Sequence, residues 1–205
     1  ISACLVGSEM CIRDSTTTAA GISDTGTING GVVTLTATQS TSTATATPIT
    51  ATGAITANSL TVTGTGGAST TIVSLGAITI NAGGGNIAVT ANNAAAGTNT
   101  GITQTGAIND NAVGSNISFT SNNDIDQNGT ITLVANTGTA PANITYSTIA
   151  GNNTSIITTA ALSVTGTSTS AINYLVKTNG AIISVPAITV PGYILLDDSC
   201  LGCAT

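Results

Sequence analysis

Histidine and tryptophan are absent from this chain of 205 residues, and lysine plus arginine total 2. Aromatic residues make up 2% of it and charged residues 5%. Each shortage removes a class of function. A surface that neutralises nucleic-acid phosphates needs clustered cations, and the two here, Arg13 and Lys177, stand far apart in sequence. Without histidine the chain lacks the commonest general base and metal ligand near neutral pH. Cleavage of polysaccharides needs clustered carboxylates or bases. Beyond residue 15 the acids are Asp24, Asp110, Asp124, Asp126, Asp197 and Asp198, and the one cation is Lys177. The reading is of a chain without catalysis, without nucleic acid as a partner and without membrane insertion of its own.

What is present is threonine (42), alanine (29), glycine (24), asparagine (19) and serine (19). Low-complexity polar chains are often disordered. Against that stand a net charge of only −6, a mean hydropathy of +0.42, and the arrangement of 24 Ile and 12 Val in short alternating runs. Side chains branched at Cβ fit a pleated surface and are restricted in helices. The expected class is all-β.

Two motifs recur. Gly-Ala/Thr-Ile begins at Gly26, Gly53, Gly76, Gly106, Gly129 and Gly180, at intervals of 23 to 30 residues and then 51. A second motif, apolar-x-apolar-Thr-small, begins at Val33, Leu60, Ile87, Ile117 and Leu162, with Ser for Thr's small neighbour at 121. Segments 76–93 and 106–123 agree at 11 of 18 positions. Each repeat holds two short strands, with Ile87 and Val89 on one face and Ala88 and Thr90 on the other. Gly and Asn serve the corners. One such unit cannot bury its own isoleucines, but stacked units can. The expected fold is a right-handed parallel β-helix, a β-solenoid of about seven irregular coils, with Ile55, Ile78, Ile87, Val89, Ile108, Ile117 and Ile131 inside. An antiparallel sandwich and extended disorder are the weighed alternatives; neither calls for a Gly-x-Ile anchor at this spacing. Residues 41–52 are the least patterned, a loop or fraying coil.

Residues 1–15 differ from the rest, holding the only Glu, Met and Arg and two of the four Cys. The run from Cys4 to Ser15 resembles a translated sequencing adapter, which implies a non-native segment outside the core. A signal peptide would show a basic start and an apolar run. The expected division is 1–15 as this segment, 16–198 as the solenoid with a partial C-terminal cap from about 181, and 199–205 as a cysteine-containing tail. Pro186 and Pro191 motivate the cap, since proline cannot donate to a ladder.

GAITINAGGGNIAVTANN and NGTITLVANTG resemble repeats of large bacterial surface and secreted proteins of the filamentous-haemagglutinin-like, autotransporter and S-layer-adhesin kind, over roughly residues 21–190. The resemblance implies a β-helix stalk exported from a Gram-negative cell, either secreted or held at the outer membrane surface. Its implied partners are neighbouring repeats of a longer protein and a host or cell-surface receptor. Open solenoid ends also imply end-to-end self-association.

Three local features bear on sites. Asp124, Asp126 and Asn128 follow the Asp-x-Asp-x-Asn-Gly spacing of a calcium loop, but position 12 is Ala135 where a bidentate acid belongs. They are a weak calcium candidate and otherwise a solvated turn; no other cofactor is expected. Cys200 and Cys203 admit four readings, a zinc half-site, a redox pair, a small disulfide or free thiols; zinc needs four ligands, a redox pair needs a βα context, and an exported protein favours the local disulfide. Thr-x-Thr pairs (Thr34/Thr36, Thr61/Thr63, Thr63/Thr65, Thr165/Thr167) raise a glycan- or ice-binding face. Unequal repeat lengths argue against a regular array, and β-propensity accounts for the threonines. Sugar binding commonly uses a stacked aromatic, for which Tyr146, Tyr174 and Tyr193 are the candidates.

Overall fold

The structure, a computed structural model, describes residues 10–17, 21–39, 46–67, 71–81, 85–93, 100–112, 114–134, 142–148, 157–165, 171–178, 183–190 and 192–197. Strand β1 is Met10–Thr17. Six three-strand coils follow. The first is β2 (Ile22–Asp24), β3 (Ile28–Asn29) and β4 (Val32–Gln39). The second is β5 (Ile49–Ala51), β6 (Ile55–Ala57) and β7 (Ser59–Gly66). The third is β8 (Thr71–Leu75), β9 (Ile78–Ile80) and β10 (Ile87–Asn93). The fourth is β11 (Thr100–Gln104), β12 (Ile108–Asp110) and β13 (Asn116–Ser121). The fifth is β14 (Asp124–Gln127), β15 (Ile131–Val134) and β16 (Ala142–Thr148). The sixth is β17 (Ile157–Thr158), β18 (Leu162–Thr165) and β19 (Ile172–Lys177), after which come β20 (Ile183–Ser184) and β21 (Ile194–Asp197).

Every third strand pairs in parallel as far as β20, and β21 then lies on β19, so the chain is a β-solenoid with three sheets. Sheet A runs β1-β4-β7-β10-β13-β16-β19-β21, sheet B β2-β5-β8-β11-β14-β17-β20, and sheet C β3-β6-β9-β12-β15-β18. The described residues complete six coils against the about seven expected; the end strands β1, β20 and β21 belong to incomplete turns.

The Gly-x-Ile motif is sheet C. Ile28, Ile55, Ile78, Ile108 and Ile131 are successive partners, and the column ends on Leu162. The second motif is sheet A, where Val33, Leu60, Ile87, Ile117 and Ile144 align. All seven isoleucine and valine residues expected inside are buried. Burying each such side chain contributes about 1.5–3 kcal/mol. Leu162 is a correction: its LSVT run was assigned to the second motif but forms β18 of sheet C. Both motifs alternate apolar and polar residues, so local pattern cannot tell one face of the coil from another.

Repeat length varies because two corners absorb it. The corner from sheet B to sheet C stays at two or three residues throughout, whereas the corner from A to B ranges from two residues (122–123) to nine (40–48). The short corner carries the glycine column. A Cβ on Gly53 would lie 1.9 Å from the Gly26 carbonyl oxygen, and one on Gly129 1.7 Å from that of Gly106. Stacked backbones leave no room for a side chain there. Gly180, the last glycine of the motif, lies outside the described residues, and Ala160 takes the position counted back from Leu162.

Three places differ from the expected arrangement or add to it. Residues 49–51, within the least patterned stretch, form β5 with Ile49 fully buried. Met10–Thr17, which takes in the last residues of the 1–15 segment and the first of the expected solenoid, lies in register on β4, from Met10 opposite Val32 to Thr17 opposite Gln39. A ladder made of backbone bonds accepts an extended segment whatever its side chains. Finally, the interior holds aromatic rings. Phe119, Tyr146 and Tyr174 are among its largest buried side chains. Phe119 and Tyr146 stack with centroids 5.3 Å apart and planes 9° apart. Towards the C-terminal end, β20 and β21 continue the ladders, while Val185, Ile188 and Val190 pack partly against the core.

Candidate binding face and interior polar column

Sheet A presents one outward face built by strict alternation. In β4 the buried Val33, Leu35 and Ala37 alternate with half-buried Thr34, Thr36 and Thr38. Parallel pairing in register turns this into columns. Thr36, Thr63, Thr90, Thr120 and Ser147 are successive partners. Beside them run Thr34, Thr61, Ala88, Ser118 and Thr145. Unequal coil lengths do not disturb these columns, since the extra residues sit in the corners. That removes the objection drawn from spacing. From β4 to β16 no described side chain on this face is charged; Lys177 of β19, opposite Ser147, is the first.

An asparagine ladder runs along one border of the face. Asn116 Nδ2 donates to Asn86 Oδ1 at 3.3 Å, Asn143 Nδ2 to Asn116 Oδ1 at 2.8 Å, and Asn173 Nδ2 to Asn143 Oδ1 at 2.9 Å. The last carbonyl, Asn173 Oδ1, is buried without a partner, where the next strand brings Gly192 and Tyr193. Sequence reading missed this ladder. Its signal was an Asn standing directly before the first apolar residue of the motif in four consecutive coils.

Inside, a polar column crosses the C-terminal coils. Gln104 Nε2 donates to the Gly76 carbonyl at 3.0 Å and to that of Gly106. Gln127 Nε2 donates to the Gly129 carbonyl and to Gln104 Oε1. Gln127 Oε1 accepts from the Tyr146 hydroxyl at 3.0 Å and from the Ala160 N–H at 3.0 Å. The Tyr174 hydroxyl donates to Thr159 Oγ1 at 2.7 Å. Burial pushes the Tyr174 phenol up to about 12 and holds the Tyr146 phenol well above its ordinary value. Both tyrosines are therefore neutral structural members, fully buried, and offer no surface to a sugar.

Asp110 also points inward, 1% exposed, on the sheet C column between Ile80 and Leu133. Its Oδ1 accepts from the Ala112 N–H at 2.9 Å and the Ser115 hydroxyl at 3.1 Å, closing the 111–115 corner. Its Oδ2 has no partner. Burial raises its pKa from 3.8 to about 6, opposed by those two hydrogen bonds.

The calcium candidate residues are brought onto one side but not around a point. Asp124 and Asp126 are half-exposed on β14 and alternate with buried Ile125 and Gln127; Asn128 is exposed just after the strand. Extended backbone sets side chains of i and i+2 about 6.5 Å apart, whereas a calcium loop curls its ligands inward. Among the described residues no three His, Cys, Asp or Glu gather as a metal site. Cys200 and Cys203 lie outside the described residues, as do Thr167 and Pro191. Among the described residues no helix is long and apolar enough to cross a membrane.

No family model, curated protein or solved structure matches this chain.

Proposed function

We propose that this chain is a non-catalytic rod segment, the stalk or adhesive part of a large secreted or surface-displayed bacterial repeat protein. The supporting observation is continuity. Sheet A passes in parallel through eight strands, and each coil is the template on which the next one lies. Coils stacked about 4.8 Å apart make length in proportion to chain, which suits a spacer that carries something away from a surface. The acids whose side chains are described fit this reading: Asp24 accepts from the Gly26 N–H in its own turn, Asp110 is inside the core, and Asp124 and Asp126 are spread along a strand.

Single-molecule pulling of the chain between terminal handles tests the rod. Stepwise lengthening by one coil at a time is expected, with adhesion of chain-coated beads to cells as the functional readout. Turnover of a polysaccharide that is lost in Asp124→Asn or Asp126→Asn would overturn the non-catalytic reading. The in-register threonine columns favour a second reading, a binding module that uses the Thr/Asn face of sheet A for glycan or ice.

A further inference from the structure

We infer that the outward face of sheet A binds ice, an assignment that deepens the binding-module reading and rests on it. The face is a two-dimensional lattice. Along each strand the outward positions repeat every second residue, about 6.6 Å apart, and from coil to coil they repeat at about 4.8 Å; all but Ala88 carry a hydroxyl. Thr34/Thr36, Thr61/Thr63, Ala88/Thr90, Ser118/Thr120 and Thr145/Ser147 fill five successive rungs. They cover about 19 Å along the solenoid axis.

Chemistry agrees with geometry. Threonine offers a methyl group, which water must cage, beside a hydroxyl, which holds a caged water in place. A charged group would instead turn nearby water dipoles about itself, and no described side chain of these five rungs is charged. Strands are tied on both sides by ladder bonds and backed by a closely packed core, so the grid is held stiffly. A stiff array loses little freedom on binding.

The alternative ligand is disfavoured by the same structure. A glycan face commonly offers an aromatic ring to stack on, yet Phe119, Tyr146 and Tyr174 all turn inward from sheet A. Tyr193, the exposed tyrosine, stands beside the outermost strand and away from the five rungs.

The test uses the full chain with single ice crystals in a nanolitre osmometer. Faceted crystals and a gap between melting and freezing points are expected. Thr63→Tyr and Thr90→Tyr, in the middle of the grid, should abolish that gap. Thr79→Tyr, half-buried on the outward side of sheet C, should keep it within about twofold. Circular dichroism establishes that all three variants retain the β-solenoid. Unshaped growth with the unaltered chain would overturn the inference, as would equal loss in Thr79→Tyr. Retention on polysaccharide beads or self-association, either one abolished by Thr90→Tyr while ice growth stays unaffected, would overturn it in favour of a glycan or a second copy. Coil-by-coil lengthening under force is a separate readout, so failure on ice leaves the rod reading intact.

Discussion

Within the solenoid, the Gln127 side chain donates from Nε2 to Gln104 Oε1 at 3.0 Å, bridging two successive coils. The same amide holds the Tyr146 hydroxyl and the Ala160 N–H on its Oε1. One side chain thus satisfies polar groups belonging to three coils. Buried amides in such a column specify register, because a slipped coil would leave several of these groups unpaired.

Replacing Gln127 with leucine should destabilise the protein by at least about 2 kcal/mol, since it strands the Tyr146 hydroxyl and the Ala160 N–H away from water. Urea unfolding followed by circular dichroism measures this. An unchanged midpoint would mean that water reaches those groups.

The isoleucine columns should behave as core. Ile87 sits between Leu60 and Ile117, and Ile87→Ala should cost about 2–5 kcal/mol. Thr90→Ala, three residues along on the opposite face of the same strand, should stay within about 0.5 kcal/mol. Equal costs at the two positions would contradict the assigned faces.

Gly129→Ala places a methyl group 1.7 Å from the Gly106 carbonyl oxygen, and backbone must move to admit it. A loss of about 1–3 kcal/mol is expected, with faster amide exchange at Ile108 and Ile131 than elsewhere in sheet C. Ala160 is accommodated where the span between paired residues is one residue shorter: Thr158 pairs Asp126 and Leu162 pairs Ile131.

Asp110 gives stability a pH dependence of unusual sign for a carboxylate. Its folded pKa is raised to about 6 from 3.8, so between these values the folded state holds a proton that the unfolded state has released. Stability is therefore highest below about pH 3.8 and falls as pH rises to about 6, by at most about 3 kcal/mol. Asp110→Asn keeps the Oδ1 acceptor and has no proton to lose. Its thermal midpoint should vary less across this window than that of the unaltered chain. Parallel curves for the two would show that Asp110 is hydrated in the folded state.

Much of the fold was legible because a solenoid writes its period into the chain. Gly-x-Ile at Gly26, Gly53, Gly76, Gly106 and Gly129 identified one wall, and the alternation of Ile87 and Val89 with Ala88 and Thr90 identified which side faces inward. Other features were not legible. Leu162 was placed on the wrong wall because its alternation suits either sheet. Tyr146 and Tyr174, candidates for a surface ring, are interior because the coils containing Gln104, Gln127 and Thr159 supply their hydroxyl partners directly or across the column.

By itself, the sequence determined the class of the protein, a charge-poor, β-branched chain with only two cations, whose short alternating runs bury their apolar side only when stacked. Composition and period suffice for that, because β-propensity and burial act on each strand locally. Only the tertiary structure decided which threonines share a column. Thr36, Thr63, Thr90 and Thr120 are separated by 27, 27 and 30 residues, and corners of unequal length bring them into line. The register is set by backbone ladders and by the packing of isoleucine on isoleucine, interactions between coils that no single stretch of sequence contains.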